Sequence, residues 1–196
     1  MSQAFFEGLR EALARRTPGP TDELPAVFRE ALRPAAVLIP LFEVEGQIQV
    51  LFTERSKDLK NHAGQVSFPG GSVAKEDRDR QATALREARE EVGLRPEDCE
   101  ILGLLDPSPV VTLFEITPVV ARIPAGYPFV PAPGEVARLI VLPLKLFLDP
   151  AALEVSERQA FGMKHRVLYY RVGGEQVWGA TARILEQLLL VAAPLL

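Results

Sequence analysis

The sequence has 196 residues, of which 47% are hydrophobic and 24% charged, as expected for one ordinary, well-buried domain. Its formal net charge of −4 argues against a protein that holds nucleic acid through bulk positive charge, and the longest uncharged run near its C-terminus, residues 187–196, is too short to span a bilayer. The single cysteine, Cys99, excludes an intrachain disulfide and a cysteine-based zinc cluster, and it favours a reduced, cytoplasmic setting.

Apolar residues recur at helical spacing through residues 3–16, which predicts an amphipathic helix followed by a Pro-rich connection. Two strands are predicted at 35–44 and 47–56, and Glu45-Gly46 between them is typical of a β-hairpin turn. A polar loop then leads into Phe68-Pro69-Gly70-Gly71.

The next predicted element is a helix from about Arg80 to Val92, which Gly93 ends as a C-terminal glycine cap. Three later strands and a closing helix are predicted at 100–105, 116–123, 166–171 and 179–191. Residues 134–148 mix strand and helix signals and stay unassigned. The order of elements predicts a mixed α+β protein.

The predicted helix carries the strongest chemical signal. Glu87 and Glu91 are four residues apart and Glu90 lies between them, so all three carboxylates project from one side. Hard oxygen ligands of this kind suit Mg²⁺. Gly70 and Gly71 allow a close approach to a ligand and dihedral angles closed to other residues. Taken alone, a charged run is usually a solvated helix face. The order and spacing of the glycines and glutamates must therefore decide between a solvated face and a metal site.

That order resembles the Nudix hydrolase family, whose sequence box reads G-x5-E-x7-R-E-U-x-E-E-x-G-U, with U apolar. The second half of the box matches at Arg86, Glu87, Ala88, Glu90, Glu91, Gly93 and Leu94. The first half departs from it, because Gly71 to Arg86 is one residue longer and Arg78 stands where the first Glu is expected. We interpret this as a loop that has absorbed one residue, with Asp77 bracing Arg86 in place of that Glu.

The resemblance implies the Nudix fold, an α/β/α sandwich with a mixed sheet. We expect residues 1–32 to form an N-terminal helical segment packed on the domain, and residues 33–196 to form the Nudix hydrolase domain. The resemblance also implies that Mg²⁺ or Mn²⁺ is held by three carboxylates and a backbone carbonyl. These ligands would be Glu87, Glu90, Glu91 and Gly70.

The resemblance gives Arg86 the task of pairing with a neighbouring carboxylate, which holds the loop and the helix in register. The family's general base varies in position. Glu90 is one candidate, and Glu135, in a later loop, is another. The alternative for Glu135 is an acid at a helix N-terminus, where the helix dipole favours negative charge.

The stretch from Leu51 to Gly71 resembles the signature of the coenzyme A pyrophosphatase subgroup, L-L-T-x-R-(S/A)-x3-R-x3-G-x3-F-P-G-G. Phe52 replaces a Leu, and Lys60 replaces an Arg, which keeps the charge but loses the bidentate fork. Residues 178–182, Trp-Gly-Ala-Thr-Ala, resemble the subgroup's late Trp-Gly-x-Thr-Ala. The resemblance implies substrate binding by Arg55, Lys57, Lys60, His62 and Phe68. The alternative for the two lysines is that they are ordinary solvated loop charges.

The implied reaction is hydrolysis of the diphosphate of coenzyme A or its derivatives, giving 4′-phosphopantetheine and adenosine 3′,5′-bisphosphate. One alternative is another Nudix substrate such as ADP-ribose. A second is a non-catalytic Nudix-fold nucleotide sensor, although a sensor has no need of a costly carboxylate cluster. The expected partner is a small-molecule substrate, with neither nucleic acid nor membrane, and a homodimer is left open.

Overall fold

The computed structural model describes residues 2–16, 31–59, 62–160 and 163–196. Within these residues the chain forms two β-sheets and three α-helices, joined by loops and short 3₁₀ turns. The elements in chain order are α1 (Ser2–Arg15), β1 (Arg33–Val44), β2 (Gln47–Arg55), β3 (Val66–Ser67), β4 (Gly70–Ser72), α2 (Arg80–Val92), β5 (Glu100–Leu104), β6 (Ser108–Val110), β7 (Phe114–Arg122), β8 (Val136–Pro143), β9 (Leu153–Ala160), β10 (Met163–Val172), β11 (Glu175–Trp178) and α3 (Gly179–Ala192).

The larger sheet is mixed and is built around β1. Strand β1 pairs antiparallel with β2 and β4 and parallel with β7. Strand β7 also pairs antiparallel with β5 and β6, and β2 pairs antiparallel with β3 and β8. The smaller sheet is antiparallel, in the order β11-β10-β9.

Each face of the larger sheet buries a separate hydrophobic core. On one face, Ala84, Ala88 and Val92 of α2 pack against a cluster that includes Leu38 and Leu51. On the other face, α1, α3 and the smaller sheet share a single core with β1 and β2. Helices therefore cover both faces of a mixed sheet, which confirms the predicted α+β class and sandwich arrangement.

The longer predicted elements are confirmed with small shifts at their ends. The β1–β2 turn has positive φ at both Glu45 (50°) and Gly46 (78°), as the favoured two-residue hairpin turn requires. The unassigned stretch 134–148 contains β8 followed by a 3₁₀ turn at Leu144–Leu148. The Pro-rich connection after α1 lies outside the described residues.

Helix α1 contributes Phe5, Phe6, Leu9 and Leu13 to the core that it shares with α3. The N-terminal helix is therefore packed on the rest of the chain through its apolar stripe. The expected division between residues 1–32 and 33–196 stays a prediction. In the described part of the chain, no helix combines the length and the apolar character needed to cross a membrane.

Candidate active site

Helix α2 has defined signals at both ends. Asp79 is its N-cap, and the Asp79 carboxylate accepts a hydrogen bond of 2.8 Å from the backbone N–H of Ala82. Gly93, at φ 69°, ends the helix and donates its N–H to the carbonyls of Ala88 and Arg89. The predicted glycine cap is confirmed, whereas the Asp79 cap was not predicted, although an Asp before an apolar periodic run is a usual signal. These caps fix the start and the end of the helix that carries the glutamates.

Both glycines of β4 lie so close to neighbouring atoms that a Cβ would not fit at either position. A Cβ on Gly70 would lie 2.4 Å from the carbonyl oxygen of Ala36 in β1. A Cβ on Gly71 would lie 2.6 Å from Oε1 of Glu87. Neither glycine has a positive φ, so the expectation of unusual dihedral angles is wrong. Gly71 instead leaves the space that the Glu87 carboxylate occupies, which brings α2 and β4 together.

Glu91 is the most buried of the three helix carboxylates, at 5% exposure. One of its oxygens, Oε2, accepts a hydrogen bond of 3.2 Å from the N–H of Gly70, and Oε1 lies 3.9 Å from Nη1 of Arg55. Burial raises the pKa of Glu91 to about 7, and these two donors only partly offset it, while Glu87 and Glu135 raise it further. A buried carboxylate of this kind gains stability from an added positive charge.

Glu87 and Glu90 share one donor. Arg86 Nη1 lies 2.8 Å from Oε1 of Glu87 and 3.0 Å from Oε2 of Glu90. Burial raises the pKa of Glu87, and the guanidinium of Arg86 partly counteracts this. The side chain of Glu90 is 57% exposed. The three carboxylates therefore range from buried to solvent-exposed along one side of α2.

Asp77 is the principal partner of Arg86. Its two oxygens each accept a hydrogen bond of 3.0 Å, one from Nε and one from Nη2 of Arg86. The same carboxylate accepts hydrogen bonds from the backbone N–H of Ala74 and the hydroxyl of Thr83. These bonds, above all those from Arg86, lower the pKa of Asp77 to about 2. The predicted pairing of Asp77 with Arg86 is confirmed.

Arg78 occupies the position that the family pattern gives to the first Glu, but it takes no part in this network. Its side chain is 83% exposed, and its Nε lies 3.4 Å from a carboxylate oxygen of Asp79. Arg86 also donates to the carbonyl of Ser72 at 3.0 Å, which ties the loop to α2 at a second point. The loop with its extra residue thus reaches α2 through Asp77.

Glu135 comes from a different part of the chain and lies beside the helix. It ends the turn before β8, and its backbone carbonyl accepts a hydrogen bond of 2.8 Å from the N–H of Ser56. The N–H of Glu135 donates to the carbonyl of Ala132 at 3.2 Å, and the N–H of Ala132 donates to the carbonyl of Glu91 at 2.8 Å, so two backbone hydrogen bonds connect Glu135 to the end of α2. The negative charge of Glu135 also helps to raise the pKa of Glu91. Because a turn and then a strand contain these residues, the alternative of a helix N-terminal acid is wrong.

The loop that positions Glu135 also closes the C-terminal end of α2. The N–H groups of Val130 and Ala132 donate to the carbonyls of Val92 and Glu91 at 2.9 and 2.8 Å. The hydroxyl of Tyr127 accepts the N–H of Arg95 at 3.0 Å and lies 3.0 Å from the carboxylate of Asp98. This contact could not be predicted from the sequence, because a single Tyr in a Pro-rich loop has no characteristic pattern.

The predicted substrate loop begins at the end of β2. Arg55 exchanges backbone hydrogen bonds with Gln65 and Gly64, which closes the loop at its base. Lys57 and His62 are exposed, and His62 Nδ1 lies 2.9 Å from the side-chain oxygen of Gln65. Lys60 lies outside the described residues. Arg55, Lys57 and His62 therefore belong to one loop whose base adjoins Glu91.

Phe68 is placed differently from its predicted role. Its side chain is 3% exposed and belongs to the core beneath the sheet. The ring is stacked on Phe52 with centroids 4.8 Å apart. The ring of Phe68 therefore has no surface for a substrate, and we assign it to packing. The motif could not reveal this, because a sequence pattern does not show which face of the sheet a side chain occupies.

The late Trp-Gly-Ala-Thr-Ala motif lies at the junction of β11 and α3. Trp178 precedes the helix, and Gly179, with φ 63°, begins it. The indole ring is parallel to that of Tyr169, with an interplanar angle of 5° and centroids 5.9 Å apart. A packing role for Trp178 agrees with this contact.

The residues on this side of α2 fit a divalent cation by the chemistry of their donors. Across the described residues, no group of three or more His, Cys, Asp or Glu side chains is arranged to hold a metal ion. The glutamates are held instead by Arg86, Arg55 and the Gly70 N–H. Their donor atoms are nevertheless hard oxygens, and two of the three are shielded from water. Burying these carboxylates costs free energy that their present donors offset only in part, and a bound cation would offset more of it.

Known proteins resemble this chain along most of its length. Residues 32–161 match the family described as "NUDIX domain". A protein named "Uncharacterized Nudix hydrolase NudL" from Pectobacterium atrosepticum is 43% identical, over 81% of this chain and 82% of that protein. A protein of the same name from an Enterobacter species is 42% identical, over 85% of this chain and 87% of that protein.

Among solved structures, a MutT/nudix family protein from Enterococcus faecalis aligns with a TM-score of 0.48 and 16% identity, over 95% of this chain and 66% of that chain. The NUDIX domain of Shewanella oneidensis NrtR, in a structure complexed with ADP ribose, aligns with a TM-score of 0.45 and 20% identity, over 69% of this chain and 82% of that chain.

Proposed function

Because this chain belongs to the Nudix hydrolase family, we propose that it cleaves the diphosphate bond of coenzyme A or its derivatives. The chain is a Nudix hydrolase and therefore a hydrolase of acid anhydrides, and such enzymes generally use divalent metal ions. The coenzyme A substrate and the roles of individual residues belong to the proposal. The products would be 4′-phosphopantetheine and adenosine 3′,5′-bisphosphate.

Glu87, Glu90 and Glu91 would hold the cation, together with the carbonyl of Gly70. A divalent cation held there would neutralise the diphosphate oxygens, which otherwise repel a nucleophile, and would lower the pKa of a bound water. The protein's own contribution is to hold the carboxylates in place. Gly71 leaves room for Glu87, and the Gly70 N–H fixes one oxygen of Glu91. Arg86 keeps α2 and the preceding loop in register through Asp77.

The general base of the proposed reaction is a carboxylate that takes a proton from the attacking water. Glu135 is the better candidate, because its turn is hydrogen-bonded to Glu91 through Ala132 and because it is not one of the proposed metal ligands. Glu90 remains the second candidate. Its exposed carboxylate is already engaged by Arg86 at 3.0 Å, which leaves it less free to accept a proton.

One observation carries the choice of substrate: the basic loop starts beside the carboxylate helix. Arg55, at the end of β2, lies 3.9 Å from Glu91, and the chain continues from Arg55 into the loop with Lys57 and His62. Coenzyme A carries a 3′-phosphate in addition to its diphosphate, so cationic groups next to the metal ligands suit it. Charge-assisted contacts to phosphate are the strong kind. The resemblance of this loop to the coenzyme A pyrophosphatase signature supports the same choice.

The test is product identification. The purified protein would be incubated with coenzyme A and Mg²⁺, and the products separated and identified by mass. We expect 4′-phosphopantetheine and adenosine 3′,5′-bisphosphate in equal amounts, and no turnover with the Glu91→Gln variant. Cleavage of ADP-ribose with no cleavage of coenzyme A would assign a different Nudix substrate. Binding of nucleotide without turnover in Mg²⁺ would favour a sensor.

A further inference from the structure

The three helix carboxylates have two arginine partners, and these differ in how firmly they are held. Arg86 donates to Asp77, Glu87, Glu90 and the carbonyl of Ser72. Its bidentate bond to Asp77 would have to break before its guanidinium could leave. We therefore treat Arg86 as a fixed element of the site.

Arg55 is held differently. Its Nη1 lies 3.9 Å from Oε1 of Glu91, within range of charge attraction but longer than a hydrogen bond. Its Nε is buried and has no hydrogen-bond partner among the residues that the structure describes. Its side chain is 31% exposed, against 7% for the side chain of Glu91. Arg55 is thus a loosely held cation that faces a buried carboxylate on one side and the solvent on the other.

Arg55 also opens the basic loop. The residue after it, Ser56, donates its N–H to the carbonyl of Glu135. The neighbour of the arginine is therefore hydrogen-bonded to the proposed base. A guanidinium at this point can pair with Glu91 or with a phosphate of a bound substrate. Because Nη1 of Arg55 already lies 3.9 Å from Oε1 of Glu91, a movement of the guanidinium away from Glu91 and towards a substrate phosphate weakens its attraction to Glu91.

We propose that Arg55 is the counter-ion of Glu91 in the metal-free protein and that an arriving cation displaces it, which frees its guanidinium for a phosphate group of the substrate. This inference rests on the proposed metal site at Glu87, Glu90 and Glu91. It makes Arg55 a competitor of the metal as well as a binder of the substrate. The presence of Arg55 therefore weakens the binding of the cation in the absence of substrate.

The test measures metal affinity without substrate or turnover. Binding of Mn²⁺ would be followed by the electron paramagnetic resonance signal of the free ion for the wild type, Arg55→Met and Arg55→Lys. Removal of the competing charge should make Arg55→Met bind Mn²⁺ about three- to tenfold more tightly. Arg55→Lys keeps the charge and should stay within about twofold of the wild type.

Two further variants control the measurement. Arg89→Met removes an exposed cation from the same helix as Glu91 and reports the general effect of losing one positive charge. It should change the affinity by less than about twofold, because exposed charges are screened. Arg55→Gln is a second neutral variant, which keeps the test available if Arg55→Met does not fold. Circular dichroism and thermal melting would verify the fold of each protein.

The outcomes separate this inference from the proposed function. If Glu91→Gln weakens Mn²⁺ binding but the neutral Arg55 variants bind Mn²⁺ as the wild type does, or more weakly, Arg55 is no competitor and the inference is overturned. If Glu91→Gln leaves Mn²⁺ binding unchanged, the proposed metal site itself is wrong and the inference falls with it. Tighter binding by both neutral variants, with the wild-type value for Arg89→Met, supports the inference.

Discussion

Asp77 and Arg86 form a bidentate ion pair in which each carboxylate oxygen accepts a hydrogen bond of 3.0 Å. The side chain of Asp77 is almost fully buried in this pair. The pair joins the end of the glycine-rich loop to the middle of α2, one residue before Glu87. Its geometry explains how a loop with one extra residue can still position the carboxylate helix.

The first prediction compares Asp77 with its neighbour. Asp77→Ala leaves two donors of Arg86 without their acceptor, and the loss of a buried charged partner costs about 1–3 kcal/mol. We expect kcat/KM to fall about tenfold in steady-state assays. Arg78→Ala removes an exposed side chain and should be close to neutral. The reverse ranking of the two variants would show that Arg78 is the residue that braces the loop.

The second prediction concerns acid stability. The folded state lowers the pKa of Asp77 to about 2 from its usual 3.8, so its ionised form stabilises the fold above about pH 4. This contribution is lost as the pH falls from about 4 through about 2, and we expect it to amount to about 1–2 kcal/mol. Urea unfolding of Asp77→Asn across this range should show a shallower loss of stability than the wild type.

Asp58→Asn is the matched control for this experiment, because it removes an exposed carboxyl group from a different loop. An Asp77→Asn variant whose unfolding free energy falls with acid as steeply as that of the wild type would show that the pair does not contribute to acid stability.

The third prediction concerns the proposed metal ligands. Glu87→Gln and Glu91→Gln each remove a ligand charge, and we expect kcat to fall below a few per cent of the wild-type value at saturating Mg²⁺. Glu97→Gln, at an exposed position beyond the end of α2, is the control and should keep full activity. Substantial activity in either ligand variant, with its fold intact by circular dichroism, would mean that the ligands are wrongly assigned.

The fourth prediction separates the two candidate bases. Glu135→Gln should lower kcat at least about a hundredfold and leave Mn²⁺ affinity within about twofold, because general-base catalysis typically contributes this much. Glu90→Gln should weaken Mn²⁺ binding, since Glu90 is proposed as a ligand. If Glu135→Gln keeps its kcat while Glu90→Gln loses kcat with unchanged metal affinity, the base is Glu90.

Elements with their own periodicity were predictable, and short paired strands were not. Helix α2 carries its apolar spacing and its Gly93 cap within its own sequence, so its bounds at Arg80 and Val92 could be predicted. Strands β3, β4 and β6 have two or three residues each, and only pairing with a distant strand makes them regular. Strand β8 alternates irregularly between buried and exposed residues, which explains the mixed signal of residues 134–148.

The same distinction applies to the candidate site. The relation between Asp77 and Arg86 could be predicted, because the box places the bracing acid near residue 78 and Arg86 needs a negatively charged partner there. The surroundings of Phe68 and the neighbourhood of Glu135 could not, because each depends on contacts between residues far apart in sequence. The need for Gly71 was foreseen as a close approach, but its partner is the side chain of Glu87 rather than a ligand.

We propose that the basic loop beside Glu91 makes the enzyme select coenzyme A. Its most direct test is the ratio of kcat/KM for coenzyme A to that for 3′-dephospho-coenzyme A and for ADP-ribose, measured at one Mg²⁺ concentration. One charge-assisted contact to the 3′-phosphate contributes about 1.5–3 kcal/mol, roughly ten- to a hundredfold. We expect a preference of this size for coenzyme A over both other substrates. A higher kcat/KM for ADP-ribose would contradict it and leave only the assignment to the Nudix hydrolase family.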